Sequence, residues 1–197
     1  MIKSAFLALS FLALMAAPAS AKIMPAPVVQ AWTVDPAASS IEFSGQHAGN
    51  DFKGSFKSWT AQIAFDPADL KNSAVAVTIQ TSSALTENQT YDGSLPSAEW
   101  LNFKAFPEAT FQSKEITHLD GDKYEAKGTL TIKNISTDVT LPFTLKIDGE
   151  TATMTGTLVV DRLAYDIGKA ADPKGDWVSK DIAVAVSVKA TKASIAP

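Results

Sequence analysis

Residues 136–147, STDVTLPFTLKI, decide the fold. From Val139 onward the stretch alternates: Val139, Leu141, Phe143, Leu145 and Ile147 share one face, and Thr140, Pro142, Thr144 and Lys146 share the other. A period of two is that of a strand with one side buried and one side wet. Upstream, Tyr124–Lys133 is extended and makes a hairpin with it around Asn134–Ile135. Downstream, Asp148–Gly149 is a strong turn signal, and Thr151–Val160 alternates again. The same pattern recurs in Trp32–Asp35, Ser39–His47, Phe52–Trp59, Ala61–Phe65, Val75–Thr81, Phe111–Thr117 and Ile182–Val188. Arg162–Gly168 reads as a broken strand and Ala170–Asp176 as a polar loop. About nine or ten strands joined mainly by tight turns predict an antiparallel up-and-down sheet. Closing that sheet into a barrel removes its exposed edges, so the expectation is an all-β barrel.

One segment breaks the alternation. In YDGSLPSAEWLNFKAFPEATFQS, residues 91–113, Trp100, Leu101, Phe103, Phe106 and Phe111 crowd together between Pro96 and Pro107. Asp92 and Glu99 stand at offsets that suit helix starts. This predicts one short helical excursion and a loop, with Ser94–Phe106 covering the barrel as a lid.

The N-terminus has the grammar of a secretory signal. Lys3 precedes the uncharged run Ala5–Ala17, Pro18 breaks it, and Ala19–Ser20–Ala21 offers a small-residue cleavage site. The run falls short of the roughly 20 residues needed to span a bilayer. No cysteine follows it, which excludes an acylated-Cys anchor. The expected organisation is a signal peptide over 1–21, a flexible lead-in over 22–31, one barrel domain over 32–192 and a tail over 193–197. Removing Lys3 leaves 16 basic against 21 acidic residues, a net charge of −5, with no basic cluster. Nucleic acid and anionic membrane surfaces are therefore poor partners, and the mature chain is expected to have no stable membrane anchor. With no cysteine at all, an apolar core must carry the fold.

The collected inner faces are almost wholly aliphatic and aromatic. A barrel of about eight strands either packs shut or holds one ligand. Any ligand must itself be apolar, because unpaired polar groups cost about 1–3 kcal/mol each. A long hydrocarbon burying about 400 Å² gains roughly 10 kcal/mol, enough to meet the costs of association. Catalytic signatures are missing: the chain has no cysteine nucleophile, no Gly-x-Ser-x-Gly, no His-Glu-x-x-His and no phosphate-cradling glycine loop. The only histidines, His47 and His118, do not make a zinc site without further ligands. His47 falls on the inner face near a strand end, as packing or as a ligand contact, and His118 in an exposed turn. Arg162, the sole arginine, either clamps Asp161 or Asp166 or sets a cation at the barrel mouth.

Several of these stretches together resemble the YceI-like family. Trp32-x-Val34-Asp35, Ser40-Ile41-x-Phe43, His47 with Gly54-x-Phe56, and Ile63-x-Phe65-Asp66 look like its opening. Asp92-x-x-Leu95-x-Ser97-x-x-Trp100-Leu101-Asn102 and Phe106-Pro107-x-Ala109-x-Phe111-x-Ser113 look like its centre. Gly128-x-Leu130-Thr131-Ile132, Val139-x-Leu141 and Arg162–Gly168 look like its close. The resemblance implies a periplasmic, lipocalin-like barrel that binds an isoprenoid lipid by a polyprenyl or quinone tail, with no other cofactor required. Where many relatives carry Arg-Asp-x-His-Leu, this chain has Tyr91-Asp92-Gly93-Ser94-Leu95. A cationic head-group contact is thereby absent, which favours a neutral, quinone-like head. The candidate ligand contacts are Phe43, His47, Val77, Ile79, Trp100, Phe103, Phe106, Phe111, Leu141, Phe143, Leu145, Arg162, Val184 and Val186. No catalytic or metal-ligating residue is assigned. The alternative reading is a packed-core periplasmic interaction or stress-response protein, accessory to a membrane redox or lipid-handling partner.

Overall fold

Eleven strands form a single sheet in the computed structural model, which describes residues 29–194. They are β1 (Ala31–Val34), β2 (Ser40–His47), β3 (Asn50–Phe56), β4 (Trp59–Ala64), β5 (Ala74–Gln80), β6 (Ala84–Leu85), β7 (Glu108–Asp120), β8 (Lys123–Ile132), β9 (Ile135–Asp148), β10 (Thr151–Asp161) and β11 (Asp181–Lys192). The expected signal peptide, most of the lead-in and the end of the tail lie outside the described residues.

The sheet closes through β1. This strand pairs with β4 on one side (Trp32↔Ile63) and with β11 on the other (Val34↔Ala190). The ring therefore runs β1-β4-β5-β7-β8-β9-β10-β11 and returns to β1, an antiparallel barrel of eight strands. A 3₁₀ turn at Pro36–Ala38, capped by the Asp35 carboxylate on the Ala37 N–H, ends β1. The chain then rejoins β11 as β2, with β3 and β6 continuing that flap outward.

Local chemistry sets the turns. Lys133 and Asn134 join β8 to β9 with φ of 51° and 61°, a two-residue turn whose twist suits antiparallel strands. The hairpin thus turns one residue earlier than expected, because Ile135 pairs with Ile132. Likewise Asn50 and Asp51 belong to β3, the turn being Ala48–Gly49, and Trp59 opens β4 rather than closing the strand before it. Arg162–Tyr165 is a 3₁₀ turn, not a broken strand, capped by Asp161 on the Leu163 N–H.

The expected helix also shifts. The helix α1 (Gln89–Ser94) starts from Asn88, whose side chain accepts from the Thr90 and Tyr91 N–H groups. Asp92 lies within it and accepts from the Thr86 N–H and hydroxyl (2.7 and 2.6 Å). Glu99 starts no helix; its carboxylate accepts from the Ala171 N–H.

One seam of the barrel is laced by backbone bonds along only part of its length. The β9–β10 ladder ends at Phe143↔Gly156, beside Pro142, which has no N–H to donate. Beyond that point the Arg162–Tyr165 turn folds over the gap. Tyr165, 2% exposed, packs among Leu130 and Val160, with Val139 and Leu158 against that cluster, and its hydroxyl meets that of Thr137. Burial pushes the Tyr165 phenol up from its ordinary pKa, against the opposing effect of the Thr137 bond.

Candidate functional site

The inward faces enclose an elongated cavity of about 310 Å³. Along β11 its wall is Ile182, Val184, Val186, Val188 and Ala190, one inward residue after another from strand start to strand end. The eight steps from Ile182 to Ala190, at about 3.3 Å each, span roughly 26 Å of strand, or about 20 Å along the axis of a tilted barrel. The site is a narrow tunnel. Phe43 of β2, Val77 and Ile79 of β5, Phe111 of β7, Leu141, Phe143 and Leu145 of β9, and Val184 and Val186 of β11 line it. Trp100 and Arg162 line one end.

Three sequence candidates stand off the wall. The His47 Nδ1 sits 3.1 Å from the Tyr91 hydroxyl, joining the end of β2 to α1. Phe103 and Phe106 are half-buried but point elsewhere than the tunnel. A turn about Asn102, whose φ is 49° and whose carbonyl accepts from the Ala105 and Phe106 N–H groups, separates these rings from Leu101. Leu95 and Leu101 line the tunnel in their place. His118, near the opposite end of the barrel from His47, donates from Nε2 to the Gly121 carbonyl (2.7 Å).

Two strand glycines widen the lumen. A Cβ on Gly128 would lie 2.7 Å from the Phe111 ring, and one on Gly54 would lie 2.4 Å from the Phe43 ring. Each aromatic ring occupies the place of a missing side chain on the next strand. Gly168, at φ +66°, serves the tunnel end: a Cβ there would come within 2.8 Å of Arg162 Nη1 and 3.0 Å of the Trp100 ring.

Arg162 is buried, and its partner is neither Asp161 nor Asp166 but Asp172 (Nη2 to Oδ2, 2.6 Å). Asp161 pairs with Lys180 and Asp166 with Lys169, both at the surface. The Arg162 guanidinium also donates to the carbonyls of Ser179, Ile167 and Val178, and lies 5.9 Å from the Trp100 ring centre. The Val178 N–H holds the Asp172 carboxyl below the usual carboxylate range. The N–H groups of Asp176 and Trp177 and the Arg162 charge act in the same direction, against burial, which raises it. This knot fixes the 162–180 loop, so that Val178 is held in the tunnel wall. Sequence spacing offered no signal for Asp172, ten residues away around a closed loop. Gly54 and Gly128 did carry one, as glycines inside strand patterns.

The tunnel end near α1 is tied down by polar contacts. Glu99 O accepts from Gly168 N–H (2.8 Å), Phe106 O from the Thr81 hydroxyl (2.7 Å), and Ala98 O and Asp166 O from Lys133 Nζ. Among the described residues every buried side-chain nitrogen and oxygen has a partner within the protein. The tunnel thus presents no spare polar group to a guest.

A family model described as a YceI-like domain matches residues 32–190. The chain belongs to the YceI-like family. The barrel agrees with the crystal structure of Burkholderia cenocepacia BcnA at a TM-score of 0.77 and 30% identity over 81% of this chain and 100% of that one. A UPF0312 protein of Pectobacterium atrosepticum is 39% identical over 102 residues, 51% of this chain; the match spans about half, 53%, of that relative's length. A Saccharophagus degradans structure described as a polyisoprenoid binding domain shares the YceI-like fold at a TM-score of 0.62. It is 11% identical, over 83% of this chain and 99% of that one.

Proposed function

We propose that this YceI-like chain is a non-catalytic binding protein that holds the tail of an isoprenoid lipid, a polyprenyl or quinone chain, in its barrel, and that it works in the periplasm after loss of residues 1–21. The observation that carries this reading is the shape and chemistry of the tunnel. It is long, narrow and lined by apolar side chains from Ile182 to Ala190, with only Thr81 and Arg162 as polar neighbours. Both are already bonded to protein groups. A sugar or nucleotide would lose its water without replacement, at about 1–3 kcal/mol per polar group. A linear hydrocarbon loses nothing polar. The same lipid class is named for the Saccharophagus degradans domain that shares the fold.

The head group is neutral, of the quinone kind. Tyr91 and Ser94 stand where the family resemblance puts Arg and His in many relatives, and they are engaged with His47 and with the Thr90 carbonyl. Arg162 spends its charge on Asp172.

Native mass spectrometry of protein purified without detergent, followed by organic extraction, tests the reading. The expected result is one isoprenoid molecule per chain, or uptake of an added quinone by the empty protein. Empty protein that refuses both prenyl alcohols and quinones overturns it, and leaves the interaction-protein alternative.

A further inference from the structure

The two ends of the tunnel are built differently. At the α1 end it is covered by loop residues, Leu95, Trp100 and Leu101, which belong to no strand. At the other end the cover is part of the wall itself. Trp32 sits in β1, paired with Ile63 and Lys192, and its indole Nε1 donates to the Phe65 carbonyl (2.9 Å) in a buried bond. Phe65 meets Tyr124 edge-on with ring centres 5.8 Å apart. Trp32 and Phe65 are 7% and 6% exposed, and both face the cavity.

Opposite these rings the wall residues of β8, β10 and β11 become small, while Ile116 of β7 and Leu145 of β9 complete the layer. The inward series on β11 is branched until Val188 and then turns to Ala190; β10 passes from Met154 to Ala152; β8 has Ala126. Ala152 and Ala190 are register partners, and all three alanines pack in one cluster with Trp32 and Phe65. The small side chains seat the large rings, and the last layer of the barrel is filled by protein.

We propose that Trp32 and Phe65, seated on Ala126, Ala152 and Ala190, form an end stop that sets the longest apolar tail the tunnel accepts. This rests on the isoprenoid-binding reading. A chain threading from the loop-covered end meets the stop last. Its position is fixed because moving Trp32 breaks both the buried indole bond and the β1 pairings that close the barrel. Removing ring volume at Phe65 lengthens the tunnel, and enlarging an alanine shortens it. Both act at the far tip of the tail, so preference for tail length moves while preference for head group does not.

The test offers lipid-free protein a series of prenyl alcohols of increasing isoprene number in competition, with folding checked by near-UV circular dichroism. Phe65→Ala keeps the carbonyl that Trp32 uses and is expected to move the preferred length up by about one isoprene unit. Ala126→Leu and Ala190→Val are expected to move it down, and they decide the matter where Phe65→Ala does not fold. A wild-type protein that binds prenyl alcohols, with a preferred length unchanged in the folded variants of both kinds, overturns the end stop alone. A wild-type protein that binds none of the series overturns the isoprenoid reading and the stop with it.

Discussion

Asp172 concentrates more bonds than any other carboxylate described here, accepting from Arg162 and from three consecutive N–H groups at 176–178. Its depressed pKa makes a sign-definite prediction. The stabilisation is fully present above the ordinary carboxylate pKa, about 3.9, and is lost as pH falls through the lower folded-state value. Thermal melts should therefore show a wild-type Tm falling below about pH 4, with a smaller loss over that window in Asp172→Asn. Removing the other partner strands a buried carboxylate. Arg162→Leu should cost about 3–5 kcal/mol in denaturant unfolding at neutral pH. An Arg162→Leu protein as stable as wild type would show that the pair does not organise the loop. Strand glycines make a second residue-scale case. Gly128→Ala places a Cβ 2.3 Å from the Gln112 carbonyl and 2.7 Å from the Phe111 ring. It should cost about 1–3 kcal/mol and displace that ring into the tunnel, read as a lower midpoint together with weaker uptake of an apolar probe.

At the scale of elements, α1 is short and its stability is borrowed. Six residues are too few to hold a helix alone; the Asn88 cap, the Asp92–Thr86 bonds and the Tyr91–His47 contact hold it against the barrel. Asn88→Ala should remove about 1 kcal/mol of local stability, seen as faster amide exchange confined to residues 89–95 with global unfolding little changed. Uniform exchange across the barrel would contradict a locally held element. The sequence announced an interruption here through its crowded aromatics and prolines, and it located the covered end of the barrel. It misplaced the helix start, because Asn88, lying outside the aromatic cluster, is the cap. Phe103 and Phe106 look like Trp100 and Leu101 in sequence, yet the left-handed turn at Asn102 sends them to another side. Composition does not encode that direction.

For the whole molecule, the open tunnel is the consequence to test. Val184→Phe adds a ring to the lumen wall beside Phe43, its register partner on the neighbouring β2. It should abolish uptake of a prenyl probe while leaving the far-UV spectrum and the antiparallel barrel intact. Undiminished uptake would mean that the probe binds elsewhere. The alternation of apolar and polar residues was enough to specify antiparallel strands, their faces and an apolar interior, since a period of two puts every second side chain on one side wherever the strand lies. Motif order was enough to place the chain in its family. Closure was decided at the tertiary level: β1 and β2 share one partner strand, and only three-dimensional register shows that Trp32 reaches Ile63 and Lys192 at once. The Arg162–Asp172 knot and the plug of Trp32 and Phe65 over three alanines were decided there too. Both depend on residues far apart in the chain, or around a folded loop, competing for one volume, and short-range periodicity carries no term for that.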